Sequence, residues 1–164
     1  MHMNHYIRTF LFIVVLFAGA LNAYAFRWEQ SITTALKKSK QLKKPVLLVF
    51  SNPKADVKSK SFETKLLGSH DFKAYTGKNL VAVKFDMGKP MNAKTKQVVK
   101  KIIAHYGVKK YPTVILLDSN KKKLGTVRIG EDPEEFLTML KSIASRYKPI
   151  EKKAAPTKKQ VAAR

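Results

Sequence analysis

The chain has 164 residues, of which 33 are lysine or arginine and 11 are acidic, a formal net charge of +22. Such an excess bears on solubility and on anionic partners and says nothing about fold. Cysteine is absent, which excludes disulfides, a thiolate nucleophile, persulfide chemistry and any cysteine-ligated metal.

Residues 1–9 carry Arg8 and no acid, and Phe10 to Leu21 is an uncharged run of 12 residues. Ala23-Tyr24-Ala25 then places small residues at the −3 and −1 positions of a cleavage site. This layout predicts a signal peptide over 1–25 and a periplasmic or secreted mature chain beginning at Phe26. The alternative, an uncleaved anchor, is disfavoured because a membrane span needs ~20 apolar residues. Without cysteine, a lipid-modified N-terminus of the bacterial lipoprotein kind is excluded.

Trp28, Ile32, Ala35, Leu36, Ser39 and Leu42 recur at three- and four-residue spacing, which predicts an amphipathic helix over 29–43 with a lysine-rich outer face. Pro45 stops it, and Val46-Leu47-Leu48-Val49-Phe50 suits a strand buried on both faces. After the loop Ser51-Asn52-Pro53, Asp56 is placed to cap a second helix through Val57, Phe62, Leu66 and Leu67, ended by Gly68. Asp71–Tyr75 reads as a short helical turn and Leu80–Asp86 as a second strand. Ala93, Val98, Val99, Ile102, Ile103 and Tyr106 mark a third helix closed by Gly107. The turn Val108-Lys109-Lys110-Tyr111-Pro112 leads into a strand Thr113–Asp118, and Ser119-Asn120 turns it back into Leu124–Ile129, an antiparallel hairpin. Asp132-Pro133-Glu134-Glu135 opens the last helix with an N-cap, a proline at the first helical position and acids in the positive first turn. Residues 148–164 hold prolines, alanines and six basic residues with one acid, in no periodic pattern, and predict a disordered basic tail.

The predicted order, α-β-α-β-α-β-β-α, belongs to the α/β class, with parallel strands first and a hairpin last. Trp28, Lys44-Pro45-Val46-Leu47-Leu48-Val49-Phe50, Asn79-Leu80-Val81-Ala82-Val83-Lys84-Phe85-Asp86, Tyr106-Gly107-Val108 and Tyr111-Pro112-Thr113-Val114 stand in the order and spacing of a known family. Over residues 26–147 the chain resembles exported thioredoxin-like proteins, and is similar to the C-terminal domain of periplasmic thiol–disulfide interchange reductases. The resemblance implies one thioredoxin-like domain, with a central mixed sheet of about four strands and helices on both faces.

The sequence departs from the family at the family's chemistry. Placing Phe50 on the phenylalanine that precedes the active-site loop puts the Cys-x-x-Cys pair at Asp56 and Ser59, so the motif reads Asp56-Val57-Lys58-Ser59. The neighbouring tryptophan falls at Ala55, and the buried acid that relays protons to the cysteines falls at Val49. Thiol–disulfide exchange needs an attacking thiolate, so the chain alone cannot perform it. A serine nucleophile needs a base within hydrogen-bond reach, and neither His70 nor His105 is expected near Ser59. Asp56 reads as a helix cap and Ser59 as a helix residue. No metal or other cofactor is expected, because neither histidine has a second ligand at helical spacing.

What remains is binding. In the family the proline loop holds extended peptide backbone opposite the cysteine pair, a recognition mode that outlives the cysteines. The resemblance therefore implies a groove at Tyr111, Pro112 and Thr113 with a basic rim drawn from Lys54, Lys58, Lys60, Lys109 and Lys110. The expected function is that of a redox-inactive binding or chaperone-like module, with a protein or peptide partner in the cell envelope and no enzymatic activity of its own. Two alternatives stay open: a thiol–disulfide component by lineage that works only with a cysteine-bearing partner, and a non-specific binder of anionic lipid, polysaccharide or nucleic acid through lysine faces and the basic tail. Lysine far outnumbers arginine and few aromatics lie between the lysines, which argues against sequence-specific nucleic-acid readout.

Overall fold

The apolar run after Pro45 forms β2 (Val46–Ser51), buried along its whole length. It is hydrogen-bonded on both sides, parallel to β3 (Val81–Asp86), with Val46 opposite Val81, and antiparallel to β4 (Thr113–Leu117), with Val46 opposite Leu117. A strand paired on both edges and covered on both faces favours apolar side chains, which accounts for the run 46–50; its last residue, Ser51, is polar and buried. The computed structural model describes residues 26–149. The predicted signal peptide and all but the first two residues of the predicted basic tail lie outside them.

The sheet has five strands, in the order β1-β3-β2-β4-β5, with β1 at Trp28–Glu29 and β5 at Lys123–Val127. The expectation of about four strands and of a helix from residue 29 is thus corrected. Trp28 and Glu29 pair in parallel with Ala82 and Val83, and α1 begins only at Ile32, ending at Leu42. Ser31 caps it by accepting the Thr34 N–H at 3.1 Å, and Lys43 closes it in the left-handed conformation.

Asp56 caps α2 (Val57–Ser61), which runs directly into a π-helical turn, Phe62–Leu67. The wider turn aims Phe62, Leu66 and Leu67 into the core, whereas Val57, read in the same helix, is 83% exposed. A side chain on Gly68 would strike the Thr64 carbonyl, so the π turn explains the glycine that follows it. The short turn predicted at Asp71–Tyr75 is a full helix, α3 (His70–Asn79), capped by Ser69. α4 (Ala93–Tyr106) starts at an Asn92 cap and ends at Gly107, whose φ of 66° is the left-handed conformation that glycine adopts without strain. Val98, one of the residues that mark this helix in the sequence, is exposed. At the β4–β5 turn the Asp118 carboxylate accepts the N–H groups of Asn120 and Lys122, each at 2.8 Å. α5 (Pro133–Ala144) has Asp132 as its cap, accepting the Glu134 N–H at 2.9 Å.

Strand alternation sorts the core into two clusters, one on each sheet face. Val46, Leu48 and Phe50 of β2 pack with Val81, Val83, Phe85, Ile115 and Leu117 beneath α1 (Ala35, Leu36) and α4 (Val99, Ile102). Leu47 and Val49 pack with Ala82, Val114, Leu116 and Val127 beneath the π turn (Phe62, Leu66, Leu67), α3 (Phe72) and α5 (Phe136, Leu140, Ile143). The second face is the aromatic one. Phe72 meets Phe26 and Phe136 at ring separations of 5.7 and 6.2 Å, and Phe62 meets Phe136 edge-on at 5.7 Å.

Candidate functional site: an open groove between a helix start and the proline loop

Residues 52–56 form a tight loop off the end of β2, in which Ala55 and Asp56 both donate their N–H to the Asn52 carbonyl. The loop delivers Asp56 to the start of α2, where its carboxylate accepts the Ser59 N–H at 2.7 Å. This is a helix cap. The Asp56 carboxyl is held below the usual carboxylate range first by the nearby Ser59 hydroxyl and then by the Ser59 N–H. The hydroxyl exerts this influence without completing a hydrogen bond of ordinary geometry, for Ser59 Oγ is buried with no such partner. A depressed carboxyl pKa means that the cap stabilises the fold at neutral pH and loses that effect as pH falls through the lowered value.

Across from α2, the Tyr111–Pro112 peptide bond is cis, and the loop is closed by the Thr113 hydroxyl donating to the Lys110 carbonyl at 2.6 Å. Between the two lies an open groove of about 930 Å³. One wall is Asp56, Lys58, Ser61, Phe62, Lys65 and Leu66, the floor is Lys110 to Thr113, and the far wall is Thr126 to Glu131. Four cations, Lys58, Lys65, Lys110 and Arg128, face two acids, Asp56 and Glu131. None of the four is in a salt bridge among the described residues.

Of the predicted groove residues, Lys58, Lys110, Tyr111, Pro112 and Thr113 are thus brought together. Lys109, Lys54 and Lys60 are exposed but do not line the groove. Ser59 lies buried beneath it and is not part of its lining. Lys65, Arg128 and Glu131 were missed. The hairpin held the signal for Arg128, because Val114 pairs with Val127 and the next residue therefore falls beside Thr113. His70 starts α3 and His105 ends α4, where its ring meets Tyr106 edge-on at 4.6 Å. Among the described residues no three histidine, aspartate or glutamate side chains gather into a metal site.

Val49, expected at the position of the family's buried acid, is fully enclosed by apolar neighbours. The ionised groups of this half of the molecule come from elsewhere. Glu63, on the π turn, accepts the buried Ser51 hydroxyl at 2.5 Å and pairs with Lys84 of β3 at 2.9 Å. The Lys84 ammonium also stands 5.9 Å from the centre of the Trp28 ring. No spacing rule joins residues 12 and 21 apart, so nothing in the sequence marked this network.

A cis-proline loop facing the capped start of a helix, both at one end of a mixed sheet covered on both faces, defines a thioredoxin-type fold, here without its thiols. The thioredoxin-like domain family matches residues 32–144, and the chain belongs to that family. No curated protein matches it. Among solved structures it is similar to a DsbH oxidoreductase, with a TM-score of 0.65 at 25% identity over 77% of this chain and 90% of the other. A thioredoxin from Thermus thermophilus has a TM-score of 0.58 at 17% identity over 73% and 87% of the two chains. A putative disulphide-isomerase from Bacteroides thetaiotaomicron has a TM-score of 0.52 at 20% identity over 76% and 98%. The last two likenesses concern the fold alone.

Proposed function

We propose that the protein is an exported, redox-inactive binding module that holds an extended, anionic segment of an envelope polypeptide in this groove. The observation that carries the reading is the open groove itself, walled by Lys58, Lys65, Lys110 and Arg128 and free of any thiol. A disulfide oxidoreductase must supply a thiolate or a disulfide sulfur, and this chain has neither. The likeness to a protein named an oxidoreductase therefore supports a shared ancestry of the groove and not a shared reaction. Loop backbone at Tyr111–Thr113 offers strand-like hydrogen bonds to an extended chain, and the cations offer partners to its acidic side chains. Export rests on the layout of residues 1–25.

The test is binding of unstructured peptides, one rich in aspartate and glutamate and one with lysine in their place, to the chain from Phe26 to Arg164. The acidic peptide should bind and the lysine peptide should not. Lys110→Glu combined with Arg128→Glu should weaken the acidic peptide by about 10-fold, the size expected of two reversed rim charges. Equal binding of both peptides, or no effect of the double reversal, would remove the groove from the function.

A further inference from the structure

The helices on the two sheet faces carry different charge. With their caps, α1 and α4 hold eight lysines, Lys37, Lys38, Lys40, Lys43, Lys94, Lys96, Lys100 and Lys101, and no acid. The helices of the opposite face, counted the same way, hold six lysines and six acids. Lys38 is the one of the eight in a salt bridge, to Glu29 of β1 at 2.6 Å. The other seven are exposed and without an ion pair among the described residues. Three large apolar side chains are exposed among the described residues, and two of them lie on these same helices, Leu42 at 55% and Val98 at 43%.

From this juxtaposition we propose that the α1/α4 face docks on the surface of an anionic lipid bilayer. The lysines would meet headgroup phosphates, with Leu42 and Val98 entering the interface between them. Seven exposed ammonium groups without a compensating carboxylate form a layer of one sign, and such a layer is attracted to an anionic surface within a Debye length. Lysine stems lie along apolar surface while their charges stay in the headgroup layer. Exposed leucine and valine among the charges fit a bilayer and gain nothing from a fully hydrated polyanion. The face has no arginine to read phosphate in a fixed fork geometry, and of phenylalanine, tryptophan and tyrosine its helices carry only Tyr106, which is partly buried against the core. A single-stranded nucleic acid would want both. One wall of the groove is α2 and the π turn of the opposite face, and the remaining lining is the 110–113 loop and residues 126–131, so no residue of α1 or α4 lines it. The inference does not depend on what the groove holds.

The experiment is co-sedimentation of the chain from Phe26 to Arg164 with phosphatidylglycerol vesicles and with phosphatidylcholine vesicles. Two variants remove equal charge. In the first, Lys37, Lys40, Lys94, Lys96, Lys100 and Lys101 are changed to Gln; in the second, Lys58, Lys60, Lys65, Lys73, Lys78 and Lys141 are. The unaltered chain should bind only the anionic vesicles. The first variant should lose about 100-fold in affinity, from surface attractions that act per lysine, and the second no more than about 3-fold, from net charge alone. Equal losses would mean that net charge decides, and a loss only when 148–164 is removed would assign the binding to the tail. Either result overturns the proposal, as does binding to RNA or polysaccharide without binding to vesicles. A second readout does not depend on the multiply substituted chains folding. Because the chain has no cysteine, Val98→Cys and Val57→Cys each give one attachment point for an environment-sensitive dye. Vesicles should blue-shift the dye at 98 and leave the dye at 57 unchanged, and the reverse pattern would place the membrane at the groove.

Discussion

The two helical layers of this domain are anchored alike and finished differently. Both press apolar side chains onto the same strands, and neighbouring residues of β2 go alternately to one and the other. Beyond that contact, α1 and α4 present lysine without acid, whereas α2, the π turn, α3 and α5 balance lysines with acids, and of these the π turn supplies Glu63 to the Lys84 pair while α2 and the π turn form one wall of the groove. The net charge of +22 is therefore not a uniform property of the surface. The helices of one layer carry eight lysines and no acid, and those of the other balance six lysines with six acids. The comparison separates two surfaces, a groove walled in part by the balanced layer and a lysine-rich layer across the sheet.

The comparison is broken most severely in the core. Phe136→Ala should cost about 4 kcal/mol, because it empties the middle of the aromatic cluster between Phe62 and Phe72. Val99→Ala beneath the lysine layer removes two methyl groups and should cost about 2 kcal/mol. Urea unfolding of both variants reads the difference directly. A larger loss for Val99→Ala would mean that the lysine layer, and not the aromatic one, dominates stability.

Next in size is the polar network of the balanced layer. Glu63→Ala leaves the Lys84 ammonium mostly buried beside Trp28 and the Ser51 hydroxyl without its acceptor. The expected loss is about 2 kcal/mol, with Glu63→Ala/Lys84→Met recovering part of it in a double-mutant cycle. Ser59→Ala should act in the opposite direction. It removes a buried hydroxyl that has no hydrogen-bond partner, and a gain of about 1 kcal/mol in unfolding free energy is expected. A loss on Ser59→Ala would show that the hydroxyl's influence on Asp56 outweighs its burial.

The smallest effect belongs to the lysine layer and sharpens its meaning. Lys96 stands one helical turn before Lys100 on α4, so the two repel. Lys96→Glu replaces the repulsion by a favourably oriented pair and should raise stability by about 0.5 kcal/mol. Thermal melting checks the gain, and vesicle binding of the same variant should fall. A lysine retained at the expense of stability is one whose use lies outside the fold, whereas a stabilised variant with undiminished binding would make the layer an ordinary solvated face.

Some local signals were legible because one stretch of chain satisfies itself, although the caps at Ser31 and Ser69 are equally local and passed unmarked. Asp56 and Asp132 each sit just before a helix and cap it. Gly107 ends α4 because only the left-handed turn there frees the chain for the Pro112 loop. The run 46–50 is apolar throughout because its strand is enclosed on all sides. The proline loop was legible for the same reason, since it is a contiguous motif in a known order.

The tertiary structure alone decided the rest, because those features join residues that no spacing rule connects. Two residues make a strand at Trp28–Glu29 only because the edge of β3 is there to bond them, and a two-residue segment has no period of its own. The π turn is fixed by the demand that Phe62, Leu66 and Leu67 all reach one core, a demand that leaves no mark on propensity. Lys65 and Arg128 share a groove, and Lys109 does not, because the return of β5 beside β4 sets the far wall. Above all, the sequence determined that lysines cluster on α1 and α4. That those two helices cover the same face of one sheet, adding their charges into a single layer, follows only from the order in which the strands lie.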